Sequence, residues 1–348
     1  MEPKIVRQGH LAEKIVIVDG QPGCGKTMLS PIIASMRRVE LLSYAFEIEF
    51  ICRLFNLKKM EWDAAVAMVR MLTDHKLYQT MMGRDTNFRY SDLSSAFQDA
   101  NPWRYLKRIF QEGDQVVTDR ILNERPILHL TTHDLLSVSE PIMEGLGNRV
   151  VFIEVVRHPL YMIKQQQVNM ESLLKDPRDI QIYIEYNKKQ IPYFANGWED
   201  QFLSANSMEK AIYTIEHLTK INERQRKQWN EHKPENIVTV PFEKFVTDPW
   251  PYLKNIEESL DSKVTPTTEK IMKKQKVPRT IIADGINLKL YKRYGWKPSA
   301  TKNEVVELKE RRDFAKKNAQ KKVVEVLDRM SVDYEKEHFN EVLFDKYT

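Results

Sequence analysis

The run Gly20-Gln21-Pro22-Gly23-Cys24-Gly25-Lys26-Thr27 has the spacing G-x-x-x-x-G-K-[ST]. That combination suits one task, holding the phosphates of a nucleotide. Glycines without a Cβ let successive backbone N–H groups turn inward around an anion. A helix starting near Lys26 and Met28 adds its positive dipole end. Lys26 supplies a mobile point charge, and the Thr27 hydroxyl can ligate Mg²⁺ or bond a phosphate. Cys24 falls at a helix N-terminus, where a thiol pKa tends to drop. The simpler reading of Cys24 is a small residue filling a tight loop.

Further along, His133 follows the apolar run Ile127-Leu128-His129-Leu130-Thr131. A histidine at the end of a parallel strand lies where α/β folds bind ligands, and its ordinary pKa suits proton transfer at neutral pH. A histidine with a structural role is the bland alternative. Arg157 closes the run VVFIEVV and precedes His-Pro. A strand-terminal arginine there can grip a terminal phosphate bidentately, or make a surface ion pair. Asp119 ends the short apolar run QVVT, so it is expected to hold Mg²⁺ if the nucleotide is ATP, or to cap a helix. Arg84 and Arg89 are candidates for gripping an anionic or sugar acceptor, with structural salt bridges as the alternative. Arg279, Asp284 and Gly285 are candidates for a loop closing over the nucleotide.

These residues need a frame. Residues 14–20 (KIVIVDG) read as a buried parallel strand, and residues 26–38 as a helix with an apolar face. Strand patterns return at residues 115–118, 127–131, 149–156 and 237–240. A long helical block is expected between about residues 177 and 229. Residues 39–112 read as a mostly helical insertion, a lid or a plain set of covering helices. Residues 303–330 read as one amphipathic helix packing back on the body. The expected fold is α/β, a three-layer P-loop arrangement with a parallel sheet, a helical insertion and a C-terminal helix. Residues 1–300 are expected to form the P-loop domain and 301–348 a helical extension.

With 42% hydrophobic residues the chain can build a substantial core, and a net charge of +5 over 348 residues suggests small anions as ligands. No concentrated basic stripe points to nucleic acid. The apolar runs are of strand length, well short of the roughly 20 residues of a membrane helix, and no secretory leader is read at the start. Two cysteines are too few to staple a fold of this size, so a reduced, cytoplasmic setting is expected.

Four segments together resemble the sulfotransferase family, whose members move a sulfuryl group from 3′-phosphoadenosine 5′-phosphosulfate (PAPS) to a hydroxyl or amine. Pro22, Gly25 and Thr27 fall in register with that family's P-[KR]-[ST]-G-T-[ST] loop. Residues 125–136 (RPILHLTTHDLL) are similar to its strand ending in K-T-H-x-P, and residues 155–160 (VVRHPL) to its strand followed by R-[ND]-P. Residues 240–249 (VPFEKFVTDP) look like its R-Y-E-D-L-x-x-D-P segment. The resemblance spans about residues 14–260. It implies His133 as catalytic base and Arg157 on the 3′-phosphate, and in a sulfotransferase reading Lys26 and Thr27 are expected to hold the 5′-phosphosulfate. It also implies a closing segment at Arg279 and Gly285. The chain departs from the pattern where Gly23 replaces a basic residue, Lys26 a threonine, Thr131 a lysine and Gln165 the phosphate-binding serine. A GKT loop is also at home with ATP and Mg²⁺, so a small-molecule kinase on this scaffold is the alternative. A P-loop ATPase or regulatory switch is a third reading. The acceptor and the oligomeric state are not read from the sequence.

Overall fold

The computed structural model describes residues 3–232, 236–282 and 303–348. Five strands form a parallel sheet: β1 (Lys14–Asp19), β2 (Ser43–Tyr44), β3 (Ile127–Thr131), β4 (Val150–Val156) and β7 (Ile237–Pro241). Their order is β2-β3-β1-β4-β7. In register, Val18 lies beside Thr131, and Asp19 beside Glu154.

Alternation along the strands explains the three layers. Val16, Val18, Val151, Ile153 and Val155 face one apolar cluster, shared with α1 (Lys26–Ala34) and α7 (Pro159–Ser172). Ile15, Ile17, Leu128, Leu130, Val150 and Phe152 face the other, covered by α2 (Phe46–Asn56), α3 (Trp62–Met82), α5 (Gln115–Glu124) and α6 (Glu140–Leu146). Burial on both sides is what near-continuous β-branched strands require. The helix α4 (Pro102–Arg108) completes the region between α3 and α5.

Several elements differ from the sequence-based expectation. Residues 115–118 are helical, because Val117 and Ile121, four apart on α5, are both buried while their neighbours face solvent. Asp119 therefore does not end a strand. It is exposed on α5, its carboxylate accepts from Gln115 Nε2 at 3.0 Å, and it is not a ligand at the sheet edge. The region 39–112 is not purely helical, since β2 pairs with β3 and extends the sheet. The block from 177 opens instead with an antiparallel hairpin, β5 (Tyr183–Tyr186) and β6 (Lys189–Pro192). After α8 (Glu199–Ser204) comes α9 (Ser207–His232), started by reciprocal bonds in which Asn206 Oδ1 accepts from Glu209 N at 3.0 Å and Glu209 Oε2 from Asn206 N at 3.1 Å.

Beyond β7 lie α10 (Phe242–Thr247), α11 (Trp250–Leu260) and α12 (Pro266–Lys274). The tail is three helices rather than one: α13 (Glu304–Asn318), α14 (Lys321–His338) and α15 (Phe344–Tyr347). Ala319 breaks it by taking extended angles. Leu308, Ala315, Val323 and Leu327 join the main core, so the tail packs intramolecularly. Glu335 of α14 anchors it, accepting from His158 Nε2 at 3.1 Å and from Tyr347 OH at 2.7 Å.

Candidate functional site

β1, β3 and β4 end side by side at Asp19, Thr131 and Val156. The chain leaves β1 toward β2 and β3 on one side and later reaches β4 on the other, so a crevice opens at the carboxyl ends of these strands. A cavity of about 520 Å³ fills it, bordered by residues 21–23 and 25–28 of the phosphate loop, α2, the turn after β3, α7 and Phe242.

The loop takes the shape its glycines allow. Gly20, Gly23 and Gly25 have φ of 141°, 90° and 110°. A Cβ on Gly20 would lie 2.4 Å from the Val155 carbonyl oxygen, and one on Gly25 would lie 2.2 Å from the Phe242 ring. Only glycine fits either position. Lys26 is buried at the head of α1, where its Nζ donates to the Gly20 carbonyl and, at 3.3 Å, to that of Gln21. Burial alone would pull the Lys26 pKa down. Cys24, Asp134 and Asp19 around it outweigh that and hold it above its ordinary value. Cys24 is buried and burial pushes its thiol pKa up, so it fills the loop as an inert side chain.

The turn after β3 is locked from below. The buried Asp19 carboxylate accepts from Thr132 Oγ1 at 2.8 Å and from the amides of Leu135 and Leu136 at 3.0 and 2.9 Å. That arrangement presents His133 and Asp134 to the cleft. The His133 amide donates to Glu49 Oε1 at 3.0 Å, and its Nδ1 lies 3.2 Å from the same oxygen. Glu49 is also held by Arg53 Nη2 at 2.7 Å, and that guanidinium donates to the His133 carbonyl at 2.9 Å. The His133 ring lies nearly parallel to those of Tyr44 and Phe46, within 9° and 11°. With 37% of the His133 side chain exposed, a ligand can reach it.

Asp134 takes a left-handed backbone at φ 54° and is buried, with Oδ1 lacking a hydrogen-bond partner. Burial raises its pKa to about 7, Lys26 opposing and Asp19 reinforcing.

On the other side of the loop, the buried Arg157 donates from Nη1 to the Gly23 carbonyl at 2.8 Å, and its guanidinium lies 4.2 Å from the Phe242 ring. Its Nε is 3.8 Å from Glu243 Oε1. Gln165 on α7 borders the loop, its Oε1 lying 3.4 Å from where a Gly23 Cβ would stand. Arg279 lines the same cleft, 5.5 Å from the Phe242 ring, its amide donating to Val246 O at 2.8 Å. Gly285 and Asp284 lie outside the described residues.

The structure thus brings the loop, Met28, His133, Arg157, Gln165 and Arg279 to one cleft. It does not bring Arg84 or Arg89 there. Arg84 lines a separate cavity of about 240 Å³ with Tyr44 and Tyr105, and the exposed Arg89 pairs with Asp92 at 3.4 Å. Sequence reasoning passed over Glu49, Arg53, Asp134 and Asp19. The i,i+4 spacing of Glu49 and Arg53 was the available signal, but on a helix it usually marks a solvated pair.

Among the described residues no helix is long and apolar enough to cross a membrane, and no group of three or more His, Cys, Asp or Glu side chains is arranged to hold a metal ion.

No protein-family profile matches the chain, and no curated protein matches its sequence. Among solved structures, the sulfotransferase domain of the Synechococcus PCC 7002 olefin synthase is similar at 12% identity and a TM-score of 0.41, over 90% of this chain and 98% of that one. The sulfotransferase domain from the curacin biosynthetic pathway is similar at 12% identity and a TM-score of 0.42, over 86% and 96%. Sulfotransferase STF9 from Mycobacterium avium is similar at 14% identity and a TM-score of 0.42, over 96% and 79%. Likenesses this distant carry no residue, donor or acceptor across to this chain.

Proposed function

We propose that this chain is a nucleotide-dependent group transferase that moves a sulfuryl group from PAPS to a hydroxyl or amine acceptor. The observation that carries the reading is the placement of His133, held by Glu49, at the same cleft as a glycine loop and two arginines. The residues fit such a donor. The loop has no room for a Cβ at two points, and Lys26, Arg157 and Arg279 surround it with positive charge. In this reading residues 20–28 and Lys26 hold the 5′-phosphosulfate, and Arg157, Arg279 and Gln165 hold the 3′-phosphate. PAPS, when bound, supplies a sulfuryl group activated by its anhydride bond to phosphate.

The chain's own task is to bring the acceptor to that group and to remove its proton. With Nδ1 directed at Glu49, Nε2 of His133 is the nitrogen left to take the acceptor proton. The Glu49 carboxylate then stabilises the imidazolium that forms. Lys26, buried and kept charged, offsets negative charge building on the bridging oxygen. Turnover of PAPS with a panel of hydroxyl and amine acceptors tests the reading. Acceptor-dependent release of 3′,5′-ADP that falls at least about 100-fold in His133→Ala supports it. Full activity in that variant would sink it.

A second reading, a kinase using Mg²⁺ and ATP, draws on Asp134, whose carboxyl neighbours Lys26 at the end of β3. Thr27 and Asp134 replace Asp119 as its metal candidates.

A further inference from the structure

A second concave site lies at the opposite end of β3. The backbones of Arg38 and Glu40 bond to Ile127, the first residue of that strand, with Ile127 N donating to Arg38 O at 2.8 Å and Glu40 N to Ile127 O at 3.0 Å. Beside them is a cavity of about 240 Å³ lined by five cationic side chains and two carboxylates. The local excess of positive charge is out of proportion to a chain whose net charge is +5.

Tracing the partners shows where that excess sits. Glu40 is used up by Arg108, which donates to it from Nη1 at 2.7 Å and Nη2 at 2.9 Å. Arg104 leans on the same carboxylate at 3.9 Å and on Asp99 at 3.4 Å. Arg38 pairs with the exposed Asp261 at 3.2 Å. Arg120 and Lys107 have no carboxylate within ion-pair distance among the described residues. Arg120 instead spends its Nη groups on the Gln111 side chain and the Met81 carbonyl, while its Nε is buried without a partner. Burial, with the adjacent Arg108 reinforcing it, pulls the Arg120 pKa below its ordinary value, and the opposing Glu124 and Glu40 carboxylates do not outweigh them.

We propose that this cavity is a second anion site, which takes the phosphate group of a small phosphorylated effector. Guanidinium groups on a shared concave wall suit the oxygens of a phosphate, and Lys107 at the rim adds a point charge. A cavity of this size admits a compact anion and not a polymer. The site lies at the opposite end of β3 from the cleft at Lys26, so it stands whether or not PAPS is the donor.

Calorimetric titration with inorganic pyrophosphate at constant ionic strength tests it. The full chain carrying Lys26→Ala blunts the phosphate loop and leaves this site intact. That protein should bind one pyrophosphate, and adding Lys107→Glu at its exposed position should weaken binding at least about tenfold. Arg120→Gln should weaken it further, with thermal unfolding showing that each variant is folded. Binding that is absent in Lys26→Ala, or unchanged by both rim substitutions, would overturn the proposal.

Discussion

Glu49 Oε1 receives both the backbone amide and the ring Nδ1 of His133, at 3.0 and 3.2 Å. A buried carboxylate thus fixes the position of a half-exposed imidazole and directs its other nitrogen outward. Arg53 keeps the carboxylate from turning away.

Glu49 is therefore a positioning residue. Glu49→Gln should lower kcat by about 10–100-fold while nucleotide Kd stays within about twofold. The pH dependence of kcat should also change, because a neutral amide no longer stabilises the imidazolium formed during transfer. A merely structural role would move the melting temperature and leave the pH profile in place.

Asp134 faces the cleft proposed to hold the nucleotide phosphates, with its pKa raised to about 7 by burial. Ionised, it repels a phosphate. Protonated, it does not. Nucleotide affinity should accordingly rise as pH falls from about 8 to 6, and Asp134→Asn should remove that slope. For folding the sign is the same. The native state holds this proton more tightly than the unfolded chain, so stability is lost as pH rises from about 4 to 7 and the loss is complete above 7, on the order of 4 kcal/mol. Asp134→Asn should raise Tm at pH 8. Calorimetry and melting curves at both pH values check each part, and a slope that persists in Asp134→Asn would count against the assignment.

His129 lies fully buried on β3, and burial lowers its pKa to about 3. The Glu40 backbone beside the ring opposes that shift without outweighing it, and neither ring nitrogen makes a well-formed hydrogen bond. The unfolded chain binds the proton below about pH 6.5 and the folded chain does not, so stability is lost as pH falls from 6.5 toward 3. At pH 4.5 the loss from this group should reach about 2–3 kcal/mol. His129→Leu should remove the matching part of the acid sensitivity and be stabilising at neutral pH, since it replaces poorly bonded buried nitrogens with apolar volume. Urea unfolding at pH 7 and 4.5 measures both. Equal acid sensitivity in the two proteins would contradict it.

What the sequence made legible was what local pattern determines. The β-branched run of β1, the glycine turn and the helix at Lys26 are contiguous, and a chain of that pattern has few ways to fold. The ends of β3 and β4 were readable for the same reason, which put His133 and Arg157 near the loop. Residues 115–118 misled because the three β-branched residues Val116, Val117 and Thr118 fit either a strand or one helical face, and only packing by Val117 and Ile121 decides. The hairpin of β5 and β6 hides in a polar stretch whose turn, Asn187-Lys188, uses left-handed angles without a glycine. Glu49 and Asp134 were missed because their roles arise between segments. A glutamate on a helix acquires its function only when a loop 84 residues away folds onto it.

The measurement that tests the donor assignment most directly is calorimetric binding of 3′,5′-ADP against ADP and ATP, with and without Mg²⁺, to the wild type and to Arg157→Ala. The cleft described here should bind 3′,5′-ADP without Mg²⁺ at least about tenfold more tightly than ADP, and Arg157→Ala should erase that preference. Tighter binding of Mg²⁺-ATP, with 3′,5′-ADP no better than ADP in either protein, would contradict the PAPS reading and leave a kinase in its place.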